Sequence, residues 1–239
     1  MIAKPLCIIP ARGGSKRFPR KNMALLAGKP LLAYAVESAR LSSVFDLVCV
    51  SSEDQEILSA ARALGADLAL GRPPELATDT AQVRHVCQHV LGHLSGQGKQ
   101  YEAFAVLLTT NPLRTPQDVR SAVRLLEPGT VNGVMSLVPF SHPPQRAVSI
   151  SDGFVKPYFG LNQMKPAQQL DPLYRHDGSI IVSRTAEFLR TGEFYGDKIA
   201  PYVIPADRSV DIDSPLDLQW AEFLLTREGA LRNPGLRSE

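Results

Sequence analysis

Cysteine is scarce in this chain: Cys7, Cys49 and Cys87 are the only three in 239 residues. They form no C-x-x-C and leave one over in any pairing scheme, which argues against a disulfide framework. Cys7 and Cys49 fall inside apolar, strand-like runs, where buried reduced thiols are expected. Long apolar runs are missing too. Nowhere do about 18 apolar residues follow one another, and the amino terminus carries no apolar h-region, so neither a membrane span nor an export signal is read. These absences predict a soluble, cytoplasmic protein with no membrane partner. An excess of one charge is also lacking, for the formal net charge is +2. That is too small for a general nucleic-acid binder, and the basic residues gather near the start instead of covering the chain. Internal repeats and low-complexity tracts are absent. Of the glycine-loop signatures, neither G-x-x-x-x-G-K-[ST] nor G-x-G-x-x-G occurs.

What is present is one unusual stretch, from Cys7 to Asn22. The apolar run Cys7-Ile8-Ile9 stops at Pro10-Ala11-Arg12, passes through Gly13, Gly14 and Ser15, and gathers Arg12, Lys16, Arg17, Arg20 and Lys21 within ten residues. Glycines let a backbone approach a ligand closely and turn its N–H groups inward. Clustered Arg and Lys neutralise a polyanion at short range, and Arg can grip phosphate through two parallel bonds. The stretch reads as a loop behind a first strand that wraps an oligophosphate. The plainer alternative is a basic surface turn.

A chain of this length with 44% hydrophobic residues can build one full α/β domain with room for an insertion. Strands are expected over 5–10, 45–51, 66–70, 103–108, 131–138, 179–183 and 199–204. Helices alternate with them: from Pro30 to about Leu41, from Ser52 to near Gly65, from a Thr78 or Asp79 cap to about Leu94, behind a Thr115 cap, over 184–191, and from Pro215 to about Thr226. The alternation predicts a doubly wound, mostly parallel sheet whose loops after Ala11, Ser52 and Gly71 open on one edge. Arg72 follows the third strand directly and so falls on that edge. Between about 141 and 173 the rhythm lapses, with a hairpin expected around Ser151-Asp152-Gly153. This is read as a small inserted β arm within a single domain spanning 1–239, of the kind that covers a site or packs on a second subunit.

Two carboxylates stand out near the end. In an extended Val210-Asp211-Ile212-Asp213 segment, Asp211 and Asp213 point to one side and Ile212 to the other. Carboxylates brought together repel unless a cation sits beside them, and magnesium, content with one or two carboxylates plus water and phosphate oxygens, suits the pair. Ser214, Pro215 and Asp217 already supply a helix start, leaving Asp211 and Asp213 unexplained by capping. His85, His89 and His93 share a helix face, but no carboxylate or thiolate completes a ligand set, so a polar or interface face is preferred there.

Four blocks together resemble one family: Ile9-Pro10-Ala11-Arg12-Gly13-Gly14-Ser15-Lys16-Arg17-x-Pro19-x-Lys21-Asn22, Arg72-Pro73 through Leu76-Ala77-Thr78-Asp79, Asn111-Pro112-Leu113-Arg114, and Asp211-Ile212-Asp213. The family is the acylneuraminate cytidylyltransferases, and the likeness covers nearly the whole chain. It implies a Rossmann-like nucleotidyltransferase fold and a reaction in which CTP and a nonulosonic 2-keto sugar acid give the CMP-sugar and pyrophosphate. Carried over residue by residue, it implies Arg12, Gly13, Gly14, Ser15 and Lys21 around the triphosphate, Asn22 and Arg72 at the nucleoside, and Arg175 on the sugar side. Asp211 and Asp213 become Mg²⁺ ligands, and Arg12, Lys21, Asp211 and Asp213 the catalytic set. The arm resembles the family's dimer arm, which implies a homodimer. Two departures bear on the acceptor. Leu108 stands where a sugar-touching glutamine is usual, and His176-Asp177 replaces the commoner Pro-Asn. A different or less polar acyl-sugar is therefore expected, without a choice among sialic, legionaminic and pseudaminic acids. The alternatives are a KDO-type eight-carbon acceptor and a non-catalytic nucleotide-binding homologue.

Overall fold

A computed structural model of the chain describes residues 3–78, 80–126 and 130–232, with side chains described as far as Arg227. The first strand, β1 (Leu6–Pro10), is apolar on both sides because it is covered on both sides. A tight two-stranded hairpin, β2 (Leu25–Leu26) and β3 (Lys29–Pro30), follows the first loop. Its turn lies at Ala27-Gly28, where both residues have positive φ. Then α1 (Leu31–Ser42), β4 (Leu47–Ser52), α2 (Gln55–Ala63), β5 (Leu68–Gly71), α3 (Val83–Gly96), β6 (Ala103–Val106), α4 (Pro116–Arg124) and β7 (Gly133–Pro139) alternate. After the excursion come β8 (Val148–Ser151) and β9 (Phe154–Pro157), then β10 (Tyr174–Arg184), α5 (Thr185–Thr191), β11 (Ile199–Val203) and α6 (Pro215–Arg232).

Seven strands form the main sheet in the order β11-β7-β10-β6-β1-β4-β5. All run parallel except β10, which is antiparallel to β6 and β7. Alternate residues of β1 feed opposite cores. Cys7 and Ile9 pack with α1, α2 and α4 through Leu32, Val36, Ile57 and Val119. Leu6 and Ile8 pack with α3 and α5 through Val86, Val90 and Phe188. A third cluster sits at the sheet edge, where Val210 and Ile212 are clamped by Leu26, Leu31, Leu113 and the α6 residues Ala221 and Leu224.

Three expectations are corrected. The helix α3 starts at Val83 behind Gln82, without a side-chain cap, so Thr78 does not cap it; Thr78 ends a short 3₁₀ turn over Pro74–Ala77 instead, and Asp79 lies outside the described residues. The strand expected over 179–183 begins earlier, at Tyr174, because a register shift between His176 and Ile181 absorbs Gly178, whose φ is +79°, and keeps β10 continuous. The last helix continues past Thr226 to Arg232. Elsewhere the local chemistry acts as expected: Thr115 and Asp118 form a reciprocal capping box ahead of α4, and Asp152-Gly153, both at positive φ, turn the β8–β9 hairpin.

Candidate functional site

Because β1, β4, β5, β6, β7 and β11 are parallel, the loops leaving their carboxyl ends share one edge, and the start of β10 joins them from the antiparallel side. A cavity of about 250 Å³ opens there. Arg12, Ser15, Lys21, Asn22, Arg72 and Thr110 are among its lining, so loops after β1, β5 and β6 meet around it. Arg12 also reaches the carbonyl of Thr78 at 3.3 Å.

The two glycines behind Arg12 differ in kind. A Cβ on Gly13 would stand 2.5 Å from Oδ2 of Asp54, the residue whose carboxylate caps α2. The Gly13 N–H donates to Glu53 Oε1 at 2.7 Å. Gly13 is thus required by the close approach of the β4–α2 junction. Gly14 has open space where its Cβ would be and is exposed. Glu53 holds a second group as well: Arg72, only 7% exposed, donates to Glu53 Oε2 from Nε at 3.1 Å and Nη2 at 2.9 Å. Burial alone would raise the Glu53 carboxyl. Its own backbone N–H, the Gly13 N–H and the Arg72 guanidinium outweigh that and hold it below the usual carboxylate range.

Asn22 is buried and used at both ends of its amide. Its Nδ2 donates to the Arg12 carbonyl at 2.7 Å, and its Oδ1 accepts a short hydrogen bond from the Thr109 hydroxyl. The placement braces the first loop against the exit of β6. Lys21 donates to Asp213 Oδ1 at 2.9 Å, and Arg17 pairs with Asp213 Oδ2 at 2.9 Å. Arg17, though largely exposed, therefore reaches the acidic segment as well. Arg20 pairs with Glu56 on α2.

The acidic segment alternates as read from sequence: Ile212 is fully buried, while Asp211 and Asp213 keep access to solvent. The Ile212 N–H donates to the Thr110 carbonyl at 2.8 Å, fastening the segment beside the β6 exit. Ser214 and Asp217 form the cap of α6, with Asp217 Oδ2 accepting from the Ser214 N–H at 2.7 Å, so neither earlier aspartate serves that role. Partial desolvation leads in pushing the Asp211 carboxyl above its ordinary range. A hydrogen bond from Thr110 opposes it, Asp213 adds to it, and the charges of Lys21 and Arg175 oppose it without cancelling it. Two carboxylates set one residue apart offer the oxygen-only donors a hard divalent cation takes, which needs only one or two carboxylates beside water and phosphate oxygens; in this structure the oxygens of Asp213 are held by Lys21 and Arg17. The described residues contain no group of three or more His, Cys, Asp or Glu side chains able to hold a metal.

Sequence reasoning passed over Glu53, Thr109 and Arg114. Arg114 is buried and donates to the carbonyls of Leu108 and Ser179, each at 2.6 Å, and to Ser38 Oγ at 3.2 Å. Desolvation leads in pushing this guanidinium down to about 10. Beside it, Asp177 accepts from Ser136, from the Ser179 N–H at 3.1 Å and from the Ser179 hydroxyl at 2.6 Å. Arg114 and Asp177 thereby set the bulge that brings His176 and Arg175 to the edge. The signal available for Glu53 was its place directly after β4, on the same edge as Arg72. For Arg114 nothing short of the fold reveals that it turns inward.

Known proteins resemble this chain throughout. The family model described as Cytidylyltransferase matches residues 6–139. The CMP-N,N'-diacetyllegionaminic acid synthase of Legionella pneumophila is 32% identical over 92% of this chain and 95% of its own length. The pseudaminic acid cytidylyltransferase of Campylobacter jejuni is 32% identical over 92% of this chain and 96% of its own. Among solved structures, a CMP:2-keto-3-deoxy-manno-octonic acid synthetase complexed with CTP superimposes with a TM-score of 0.69, at 17% identity, over 94% of this chain and 99% of that one. The last likeness is one of fold.

Proposed function

The chain belongs to the cytidylyltransferase family, and from that premise we propose that it joins CTP to a nonulosonic, sialic-acid-like 2-keto sugar acid. The observation that carries this reading is the convergence of Arg12, Ser15, Lys21 and Arg72 on one cavity, joined through Lys21 to Asp213. Arg12, Lys21, Ser15 and the backbone at Gly14 hold the triphosphate, while Gly13, its N–H held by Glu53, shapes the loop behind them, and Arg72 and Asn22 form the nucleoside end. The sugar acid enters beside Arg175, and its anomeric hydroxyl gives up its proton to solvent as its oxygen bonds to the α-phosphorus and the α–β bridging oxygen departs with pyrophosphate. Such a transfer needs charge neutralisation and alignment more than a covalent catalyst, and Arg12 and Lys21 supply fixed positive charge where it is needed. Asp211 and Asp213 would hold Mg²⁺, whose chemistry is to neutralise phosphate oxygens and stabilise the leaving group.

On this reading residues 1–239 form a single nucleotidyltransferase unit carrying the arm at about 141–173. The arm exposes Ile150, Phe154, Val155, Tyr158 and Leu161, a run of apolar side chains that fits a second copy of the chain in a homodimer. A cytoplasmic setting agrees with three buried free thiols. No described helix is long and apolar enough to cross a membrane. The test is pyrophosphate release from CTP, required to depend on both a divalent cation and a sugar acid. Release with a nonulosonic acid is expected; no release with any nonulosonic acid or with KDO would overturn the assignment.

A further inference from the structure

The acidic segment is fastened at its far end by Lys21, which holds Asp213, and at its middle by the Ile212 N–H on the Thr110 carbonyl. Upstream it has a different anchor. A single 3₁₀ turn over Ala206–Arg208 leads into Ser209-Val210-Asp211, and from it Arg208 Nη2 donates to Asp118 Oδ1 at 2.8 Å. Asp118 is buried on the first turn of α4, where the capping box uses only its other oxygen. Oδ2 accepts from the Thr115 N–H at 2.8 Å and from the Thr115 hydroxyl at 2.7 Å. Oδ1 is free for tertiary partners and takes two, Arg208 and the Tyr202 hydroxyl of β11 at 2.9 Å. The turn itself is poorly satisfied, for Arg208 Nε and Ser209 Oγ are buried without hydrogen-bond partners. Such desolvation costs free energy. The bond to Asp118 and the burial of Val210 and Ile212 are what hold the turn against it.

We propose that Arg208 is a positioning residue: its pairing with Asp118 fixes the backbone three residues ahead of Asp211 and so sets that carboxylate where a divalent cation takes it. The proposal rests on the metal role given above to Asp211 and Asp213, and adds the group that orients the first of them. A carboxylate already ordered loses less freedom when it binds an ion, so the groups that order it raise affinity without touching the ion. Tyr202 bonds to the same oxygen of Asp118 but lies on β11, well before the acidic segment in the chain. It supports α4 without steering Asp211. Removing Arg208 leaves Asp118 with the two Thr115 donors and Tyr202, so no unpaired charge is buried and the chain should fold.

Mn²⁺ titrated into the chain in the presence of CTP, and followed by water-proton relaxation, which rises when the ion tumbles with the protein, tests this. Arg208→Ala should weaken Mn²⁺ binding by about tenfold. Calorimetric CTP affinity without any cation, the check on folding, should stay as in the wild type. Arg208→Lys keeps one donor for Asp118 and should lose less than the alanine variant. Tyr202→Phe removes the other bond to the same oxygen; it should lower the melting temperature as Arg208→Ala does, yet leave Mn²⁺ affinity unchanged. Wild-type Mn²⁺ affinity in a CTP-binding Arg208→Ala chain would overturn the proposal. So would an equal loss in Tyr202→Phe, which would make the effect one of general packing. Asp211→Asn is the reference: if it binds Mn²⁺ as the wild type does, the metal reading itself falls and this proposal with it.

Discussion

Lys21 donates to Asp213 at 2.9 Å, tying the first loop of the chain to the last acidic segment across 192 positions. The pair spans the two halves of the site: the cation belongs to the loop that would hold triphosphate, the carboxylate to the pair that would hold a metal. Arg17 shares the same carboxylate from the opposite oxygen. Asp213 thus organises the cationic loop before any ligand arrives.

Lys21→Ala should weaken CTP binding by about tenfold to a hundredfold, the range expected for losing a charge-assisted hydrogen bond in a partly desolvated place. Titration calorimetry with CTP measures it directly. Unchanged affinity would move the phosphate contact to another residue.

Asp211→Asn should lower turnover by at least about a hundredfold, as removal of a group stabilising transition-state charge does. The fold should survive. The folded carboxyl titrates above its ordinary value, so its ionised form is disfavoured in the native state and costs stability at neutral pH. Without a metal, the melting temperature of the variant at neutral pH should therefore match or exceed that of the wild type. A folded, fully active variant would refute the metal role.

Gly13→Ala and Gly14→Ala should part company. At Gly13 the new methyl would stand 2.5 Å from Asp54 Oδ2, and displacing that cap should destabilise the fold by about 1–3 kcal/mol. At Gly14 it meets nothing, so the melting temperature should hold, and any rise in KM for CTP reports ligand approach alone. Thermal melts and CTP kinetics on both variants decide it.

Glu53 should shape the acid limb of the stability curve. Its folded pKa lies below its ordinary value of 4.5, so its stabilisation is fully present above that value and is lost as pH falls through the lower folded value. Glu53→Gln should flatten that limb and also raise KM for CTP, since Gly13 and Arg72 lose the anion they share. Melting temperature followed from about pH 3 to 7 checks the first part.

Phe154→Asp combined with Ile150→Asp should convert the expected dimer to a monomer without lowering the melting temperature of the subunit core. Both side chains lie on the arm hairpin, 71% and 78% exposed, and contribute to none of the three cores. Sedimentation measures the mass; a wild-type monomer would remove the arm's role in pairing.

Much of the architecture was legible because its signals are local. The apolar runs of β1 and β4, the Thr115–Asp118 box and the Asp152-Gly153 turn each depend on neighbours a few residues away. The misplaced start of α3 shows the limit. Thr78 carries the right side chain for a cap, but the chain after Arg72 first packs as a 3₁₀ turn, and the helix begins only at Val83. The antiparallel direction of β10 and its bulge were likewise hidden, since a short apolar strand carries no mark of its direction.

For the site, the sequence by itself determined which chemical groups are available: a glycine-threaded cationic loop, an arginine behind a strand, and two carboxylates astride a buried isoleucine. Those follow from residue type and spacing. Only the tertiary structure decided which of them work together. It turned Arg114 inward to hold two carbonyls, gave Glu53 to both Gly13 and Arg72, and closed the distance between Lys21 and Asp213. The physical reason is the sheet. Parallel strands deliver their carboxyl ends to one edge whatever their separation in sequence, and hydrogen bonds at that edge form between groups that no local pattern could pair.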